Sequence, residues 1–150
     1  FPGCAVTTDL ITGFPGQTEE EFSDTLAFIR QCAFSAMHIF PYSRRKGTPA
    51  YSMKEQVPAA EKHARAARAA AAAREMTDAY LASQVGRVLT VLFEQKENGL
   101  EAGHSENYCL VHVRTNDSLK GRMLPVRITG WADGVLSGAL DLPGEAPQQI

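Results

Sequence analysis

The hydrophobic pattern of the first forty residues changes from strand to helix and back to strand. Residues 4–12 are apolar and β-branched without clean alternation, a pattern typical of a parallel strand covered on both faces. From Phe22 to Ala33, apolar residues recur at steps of three or four, which predicts an amphipathic helix. Residues 36–40 return to a strand pattern. This order predicts a βαβ unit, the repeating piece of an α/β barrel or a doubly wound sheet.

Local signals set the boundaries of two helices. The turn at residues 13–16, Gly-Phe-Pro-Gly, ends the first strand, and Thr18 with Glu21 forms a capping box that begins a helix. A second helix is predicted from residue 59 to about residue 84, because this stretch is rich in Ala, Arg and Glu and follows Pro58.

After Gly86 the chain changes to short alternating segments separated by turn residues. The strand-like segments are residues 87–94, 107–113, 124–128 and 135–140. Four or five short strands at this spacing predict a small antiparallel barrel, because closure removes exposed strand edges.

Together these patterns predict an α+β chain with four parts. They are a piece of an α/β barrel (1–57), a helical connector (58–84), a small OB-like antiparallel β-barrel (85–141) and a flexible tail (142–150). The chain starts at Phe1 rather than Met and enters a strand pattern at once, so we expect it to be part of a longer protein.

Composition gives no global signature of nucleic-acid binding. The formal net charge is −2 and the isoelectric point is about 6.1. Residues 44–75 carry eight basic and three acidic side chains, whereas residues 87–140 carry six of each. Any contact of the predicted barrel with a polyanion must therefore come from a local patch.

The three cysteines, Cys4, Cys32 and Cys109, match no metal-binding spacing. Their odd number and apolar neighbours indicate reduced, buried thiols in a cytoplasmic protein. No apolar run is long enough to span a bilayer, so no membrane is expected as a partner.

Candidate binding residues lie along and beyond the first predicted strand. Asp9 falls in a segment that the pattern predicts to be buried, where an unpaired carboxylate is costly. We therefore expect it to contact either a neighbouring strand or a ligand. Residues 13–16 can be either a structural turn or a backbone turn aimed at a ligand.

A second candidate segment follows the second predicted strand. Residues 41–50 place Tyr42 next to three consecutive cations in a frame of Pro and Gly. Ligand sites of α/β proteins are built at this end of the strands. The combination favours phosphate or cofactor contact over an ordinary solvated run of charge.

Longer motifs resemble one family over nearly the whole chain. Residues 7–22, TTDLITGFPGQTEEEF, and residues 38–51, HIFPYSRRKGTPAY, resemble the last strands of the radical-SAM barrel in methylthiotransferases. Residues 85–140, which include GHSENY, resemble the TRAM domain of those enzymes. The Arg-Lys-Gly-Thr form of the second motif is most similar to the enzymes acting on N6-threonylcarbamoyladenosine at position 37 of tRNA. Gln17 departs from the usual Gly-Phe-Pro-Gly-Glu-Thr.

The resemblance implies a full-length enzyme that uses two [4Fe–4S] clusters and S-adenosylmethionine to place a methylthio group on C2 of the modified adenine. Its six cluster-binding cysteines, including a CxxxCxxC triad, do not occur here, so this chain alone is expected to be catalytically inactive. The implied partners are the anticodon arm of tRNA and the N-terminal and radical-SAM domains of the same protein.

These arguments give two sets of expected site residues. The expected cofactor-binding residues are Asp9, Gly13, Phe40, Pro41 and Tyr42. The expected RNA-binding residues are Arg44, Arg45, Lys46, His104, Asn107, Tyr108, Arg114, Lys120, Arg122 and Arg127. Trp131 is expected to fill the barrel core rather than stack on a base.

Other functions remain open from the residues alone. The barrel can be a non-catalytic module that docks protein partners, with its charges serving solubility. The enzyme can also belong to the isopentenyladenosine or ribosomal-protein branch of the family. A self-contained hydrolase is the weakest alternative, because the four histidines have no Ser or Cys at a recognisable spacing.

Overall fold

The chain forms an α+β structure with two compact units, which confirms the predicted fold class. The computed structural model describes residues 3–142. One unit comprises residues 5–77 and the other comprises residues 78–142 together with residues 3 and 4. Most of the predicted tail, residues 143–150, lies outside the described residues.

The secondary structure follows the predicted order. The first part contains β1 (Thr7–Thr12), α1 (Glu19–Cys32), β2 (Ala36–Pro41), a short 3₁₀ helix (Pro49–Ser52) and α2 (Ala59–Gln84). Five strands follow: β3 (Val88–Glu97), β4 (Leu100–Ser105), β5 (Leu110–Val113), β6 (Met123–Ala132) and β7 (Val135–Leu140).

The first unit packs its two strands against helices on one face. Strands β1 and β2 pair in parallel. The predicted capping box is present, since the Thr18 hydroxyl accepts from Glu21 N at 3.1 Å and the Glu21 carboxylate accepts from Thr18 N at 2.8 Å. The core is made of α1 and α2 side chains: Phe22, Leu26, Ile29, Ala69, Ala72 and Met76. Part of α2 is therefore a packed element of this unit rather than a free rod.

The other face of this sheet is exposed, which contradicts the prediction of a strand covered on both faces. Leu10, Met37 and Ile39 pack on the helical core, whereas the alternate positions Ile11 and Phe40 are 52% and 51% exposed. The reason is that both helices of the unit lie on the same face of the sheet. We call the side carrying Asp9, Ile11, His38 and Phe40 the open sheet face.

Asp9 on this face is exposed, so the predicted buried carboxylate is wrong. Within residues 3–142 its carboxylate has no hydrogen-bond partner. An exposed carboxylate keeps its hydration and needs no partner, which removes the energetic argument for one.

The second unit is a closed barrel with the strand order β3-β4-β5-β7-β6. Four of the five strand pairs are antiparallel, as predicted, and the β5–β7 pair is parallel, so the barrel is mixed. Its core contains Leu81, Leu89, Val91, Phe93, Cys109, Val111, Val113, Leu119, Val126, Ile128 and Leu136. Trp131 packs against this core, as expected.

Strand β4 was not recognised in the sequence, because its alternation is hidden by Glu101 and Gly103. Glu101 is only 2% exposed, yet its carboxylate contacts Lys96 Nζ at 3.3 Å and accepts from Leu119 N at 3.1 Å. A Cβ on Gly103 would lie 2.1 Å from the carbonyl oxygen of Leu92. The strand therefore depends on a compensated buried charge and on a close backbone approach.

The three cysteines are free thiols, but they are not all buried. Cys109 is buried, Cys32 is half-buried and Cys4 is exposed, so the prediction of buried thiols is wrong for Cys4. Burial raises the pKa of the Cys109 thiol, which keeps it protonated at neutral pH.

Candidate functional sites

The first candidate site lies at the carboxyl ends of β1 and β2. Gly13 follows β1 with a φ of +69°, and a Cβ there would lie 2.2 Å from Lys62 Cγ. The Gly13 N–H donates to Gln17 Oε1 at 2.7 Å, so the turn is closed by a side-chain amide. Only glycine fits a position that combines a left-handed backbone with this close side chain.

A buried arginine from α2 holds the same turn. Arg65 is 2% exposed, and its Nη1 donates to both Gln17 O at 2.8 Å and Gln17 Oε1 at 3.1 Å. Its charge is balanced by Glu61 and by Glu19, whose Oε2 lies 3.5 Å from Arg65 Nε. Although Gln17 departs from the family motif, its neutral amide oxygen still caps the turn.

Tyr42 is fixed at the end of β2 by contacts on three sides. Its N–H donates to Thr12 O at 2.8 Å, and Lys62 Nζ donates to its carbonyl oxygen at 3.0 Å. The Phe14 ring meets the Tyr42 ring edge-on, with centroids 5.3 Å apart. The Tyr42 hydroxyl is buried and has no hydrogen-bond partner among the described residues, so this polar group is left unsatisfied within them.

The structure places the expected cofactor residues in two parts of the sheet. Gly13, Pro41 and Tyr42 lie at or just beyond the strand ends. Asp9 and Phe40 point to the open sheet face, where the pairs Asp9–His38 and Ile11–Phe40 are in register. Lys62 was missed, because nothing in the sequence of α2 indicates that one of its lysines reaches the strand ends.

The basic segment after β2 offers fewer available cations than its sequence suggests. Arg44 Nε donates to Tyr51 O at 2.7 Å, and its guanidinium lies 4.4 Å from the centre of the Tyr51 ring. Arg45 and Lys46 are exposed. Arg44 therefore stabilises the loop, while Arg45 and Lys46 remain accessible to an anion.

The second candidate site is an open groove of about 440 Å³ on the outside of the barrel. It is lined by Thr90, Leu92, Glu94, His104, Ser105, Glu106, Tyr108 and Met123. Tyr108 is 88% exposed and has a φ of +61°. His104 Nδ1 lies 2.6 Å from Glu94 Oε2. We call this feature the barrel groove.

Residues beneath Tyr108 form an internal polar network. The Asn107 amide donates to Tyr80 Oη at 2.9 Å and to Gln84 Oε1 at 3.1 Å. The Ser105 hydroxyl accepts from Cys109 N at 3.1 Å, and Tyr108 N donates to Ser105 O at 2.9 Å. Of the expected RNA-binding residues, Asn107 is therefore engaged within the unit, where it fixes the loop that carries Tyr108.

The expected basic patch is divided between two places. Arg114, Lys120 and Arg122 lie on the segment that joins β5 to β6, and all three are exposed. Arg127 lies on β6, four residues beyond Met123, which is roughly 13 Å along a strand. It pairs with the Asp141 carboxylate at 3.0 and 3.2 Å. Three of these cations thus lie on one connecting segment, while the fourth lies on β6 and is already paired with a carboxylate.

Within residues 3–142, no group of three or more His, Cys, Asp or Glu side chains is arranged to hold a metal ion. None of the helices in the described part of the chain is long and apolar enough to cross a bilayer.

Comparison with known proteins defines the class. No protein-family model matches the chain. It is 38% identical over 133 residues to the threonylcarbamoyladenosine tRNA methylthiotransferase MtaB of Bacillus subtilis, a match that covers 85% of this chain and 30% of the relative. It is 37% identical over 143 residues to the tRNA-2-methylthio-N(6)-dimethylallyladenosine synthase of Symbiobacterium thermophilum, covering 93% of this chain and 30% of that protein. The synthase of the same name from Geobacillus thermodenitrificans is 38% identical over 143 residues, 93% of this chain and 27% of its own length.

A βαβ unit with polar groups at its strand ends, joined in one chain to a small closed barrel, is the arrangement that the resemblance led us to expect. Over the matched segment the chain belongs to the methylthiotransferases, a family of radical-SAM proteins. It spans about 30% of the length of the curated relatives it matches.

Proposed function

We propose that this chain is the tRNA-binding portion of a cytoplasmic tRNA methylthiotransferase, and that it also supplies part of the S-adenosylmethionine pocket. The observation that carries the proposal is the match of 85–93% of the chain to enzymes named for methylthio modification of tRNA. The α/β unit and the barrel both fall within that match. The remaining domains of the protein are the partners that would cover the open sheet face.

Two features at and near the strand ends support a role in holding the cofactor. The buried Tyr42 hydroxyl lacks a partner among the described residues, and Phe40 offers a half-exposed aromatic surface on the same sheet face as Asp9. When bound, S-adenosylmethionine supplies the radical and methyl chemistry. The chain's own part would be to orient it. Lys62 donates to the Tyr42 carbonyl oxygen, and Arg65 holds Gln17, whose side-chain amide oxygen accepts from the Gly13 N–H.

The two [4Fe–4S] clusters do not fit the described residues. Cys4 and Cys32 belong to different compact units, and Cys109 is buried in the barrel core. We therefore expect the chain to be inactive alone.

The barrel is the proposed site for the anticodon arm of tRNA. Its contacts with phosphate would come from Arg114, Lys120 and Arg122, with Arg127 further along β6. Binding by such contacts weakens as salt rises, because counterions are released. We expect the 150-residue chain to bind tRNA at low salt and to lose affinity steadily between 50 and 200 mM salt.

The test is a fluorescence anisotropy titration of labelled tRNA. Replacing Arg114, Lys120 and Arg122 together with alanine should lower the affinity and flatten the salt dependence. A matched control replaces Arg30, Lys54 and Arg74, three exposed cations of the other unit, and should retain most of the binding. Equal affinity for the first variant and the unaltered chain would refute the assigned patch.

For the substrate, we propose N6-threonylcarbamoyladenosine at position 37. The Arg-Lys-Gly-Thr sequence at residues 45–48 supports this branch, and so does the Bacillus subtilis relative. The full-length protein should be expressed in a bacterium lacking its own methylthiotransferases, and tRNA nucleosides analysed by mass spectrometry. Methylthio-threonylcarbamoyladenosine is expected; methylthio-dimethylallyladenosine instead would assign the chain to the other branch.

A second candidate function, protein docking, is favoured by the exposed apolar side chains of the open sheet face. Ile11 and Phe40 are each about half exposed. Replacing both with serine should abolish any association with the rest of the radical-SAM barrel, supplied as a separate polypeptide. Association without any tRNA binding would favour this function over the first.

A further inference from the structure

We propose that the barrel groove binds one unstacked RNA base and prefers bases that carry an amino group, namely cytosine, adenine and guanine, over uracil. This inference rests on the proposed function, since it takes RNA as the ligand of the barrel. It adds the part of the RNA that the groove receives and the chemical feature that the groove selects.

Strand register places the apolar floor of the groove. Leu92 on β3 pairs with Met123 on β6 and with His104 on β4, so these three side chains form one row across the outer face. Leu92 is 41% exposed and Met123 is 66% exposed. Exposed apolar side chains next to an aromatic ring favour a flat, apolar ligand such as a base.

Tyr108 gives the groove an aromatic wall held in an unfavourable conformation. A φ of +61° is rare for a bulky residue and costs energy unless the surroundings fix it. Here the Tyr108 N–H donates to Ser105 O, and the half-buried Asn107 amide donates to Tyr80 Oη, so these two hydrogen bonds fix the loop. The ring nevertheless remains 88% exposed, so this local strain does not serve to bury it. Stacking on a base is the interaction that such a ring offers.

The charges of the groove distinguish a base from a phosphate. Its lining residues include Glu94 and Glu106 and no Lys or Arg. Two carboxylates repel phosphate but accept hydrogen bonds from amino groups on base edges. Glu106 uses Oε2 for Thr90 N at 2.6 Å, and Glu94 uses Oε2 for His104. Each carboxylate keeps its other oxygen for a ligand.

The same carboxylates explain the expected selectivity. Cytosine carries an amino group at the position where uracil carries O4, an acceptor. Facing a carboxylate, the amino group is attracted and O4 is repelled. The phosphates on either side of the base would then lie outside the groove, towards Arg122, which directly precedes Met123.

The test uses the 150-residue chain and labelled ten-nucleotide RNAs of only cytidine, adenosine or uridine, measured by anisotropy at low salt. Cytidine and adenosine RNAs should bind about tenfold more tightly than uridine RNA, in line with a good contact to a base edge. Tyr108→Ala should weaken all three by about tenfold through loss of stacking, whereas Tyr108→Trp should retain binding.

The selectivity is tested with Glu94→Gln, whose amide can donate to uracil O4. This change should lower the ratio of cytidine to uridine affinity, because only the Glu106 carboxylate then remains to select an amino group. The matched control is Asp133→Asn, which removes an exposed carboxylate in the β6–β7 turn, at a left-handed position that asparagine tolerates. It should leave the ratio unchanged.

Two negative results have different meanings. If the chain binds tRNA in a salt-dependent manner, but Tyr108→Ala and Glu94→Gln change neither affinity nor ratio, the groove assignment is overturned and the proposed function stands. If the chain binds neither tRNA nor any of the three RNAs, the RNA-binding role fails, and this inference fails with it.

Discussion

The two units of this chain differ in how far their strands are covered by other parts of the same unit. In the barrel, every strand has a neighbour on each side and the apolar side chains point into one closed core. In the α/β unit, two parallel strands are covered by helices on one face, while the open sheet face leaves Ile11 and Phe40 in solvent. The barrel is therefore complete in its own packing, whereas the sheet of the other unit has a surface suited to further protein.

The largest expected effect is the loss of stability when a phenylalanine of the barrel core is replaced by alanine, compared with the same replacement on the open sheet face. Phe93 is fully buried in the barrel core, and Phe93→Ala should lower the free energy of unfolding of the barrel by about 3–5 kcal/mol. Phe40 is 51% exposed on the open sheet face, and Phe40→Ala should change stability by less than about 1 kcal/mol.

Guanidinium unfolding checks the first value through the fluorescence of Trp131, the single tryptophan, which packs on the barrel core. Hydrogen exchange of α1 amides reports on the α/β unit. Similar losses for both variants would mean that the open sheet face is packed in solution, and the contrast between the units would be lost.

Sequence patterns predicted the elements that have strong local signals. Such signals come from residues that are close together in the sequence. They are the capping box at Thr18, the helical spacing from Phe22 and the alanine-rich sequence of α2. The prediction of burial was wrong for one face of β1. The apolar residues of β1 indicate a strand that other elements cover, but not whether those elements belong to this chain. The sequence analysis missed strand β4 for another reason. The buried positions of Glu101 and Gly103 are explained only by their partners on other segments of the barrel.

A smaller effect should follow from filling the space at Gly103. The added methyl group in Gly103→Ala would meet the Leu92 carbonyl carbon and Phe93 Cα at 2.7 Å, so β3 and β4 must move apart. Overpacking of this kind costs about 1–3 kcal/mol.

The matched control is Gly130→Ala, because a Cβ at that position has no atom within 4 Å. Thermal unfolding of both variants, followed by Trp131 fluorescence, should show a clear fall for the first and almost none for the second. Equal melting temperatures would indicate that the β3 and β4 backbones do not approach closely at Gly103 in solution.

The residues of the candidate sites fall into the same two groups: those that the local sequence indicates, and those whose role depends on contacts with distant parts of the chain. Gly13 and Tyr42 were expected because strand ends are general positions for ligands, and Tyr108 because it lies in a recognisable motif. Lys62 and Arg65 reach the first site from α2, nearly fifty residues later in the chain, so no local pattern could indicate them. The roles of Glu94 and Met123 depend on the pairing of β3 with its two neighbours.

The smallest expected effect concerns acid sensitivity of the α/β unit. The hydrogen bond from Arg68 holds the pKa of the exposed Glu19 carboxylate below its ordinary value. A depressed folded-state pKa means that the ion pair stabilises the fold above the unfolded pKa, and that this contribution is lost as the pH falls through the folded pKa. Because Glu19 is exposed, the effect on stability is small. An NMR titration should therefore show the Glu19 pKa rising in Arg68→Gln and unchanged in Arg74→Gln, which alters another exposed arginine of α2. No rise in the first variant would mean that this ion pair does not persist in solution, leaving the buried Arg65 as the main polar link between α2 and the turn at Gly13.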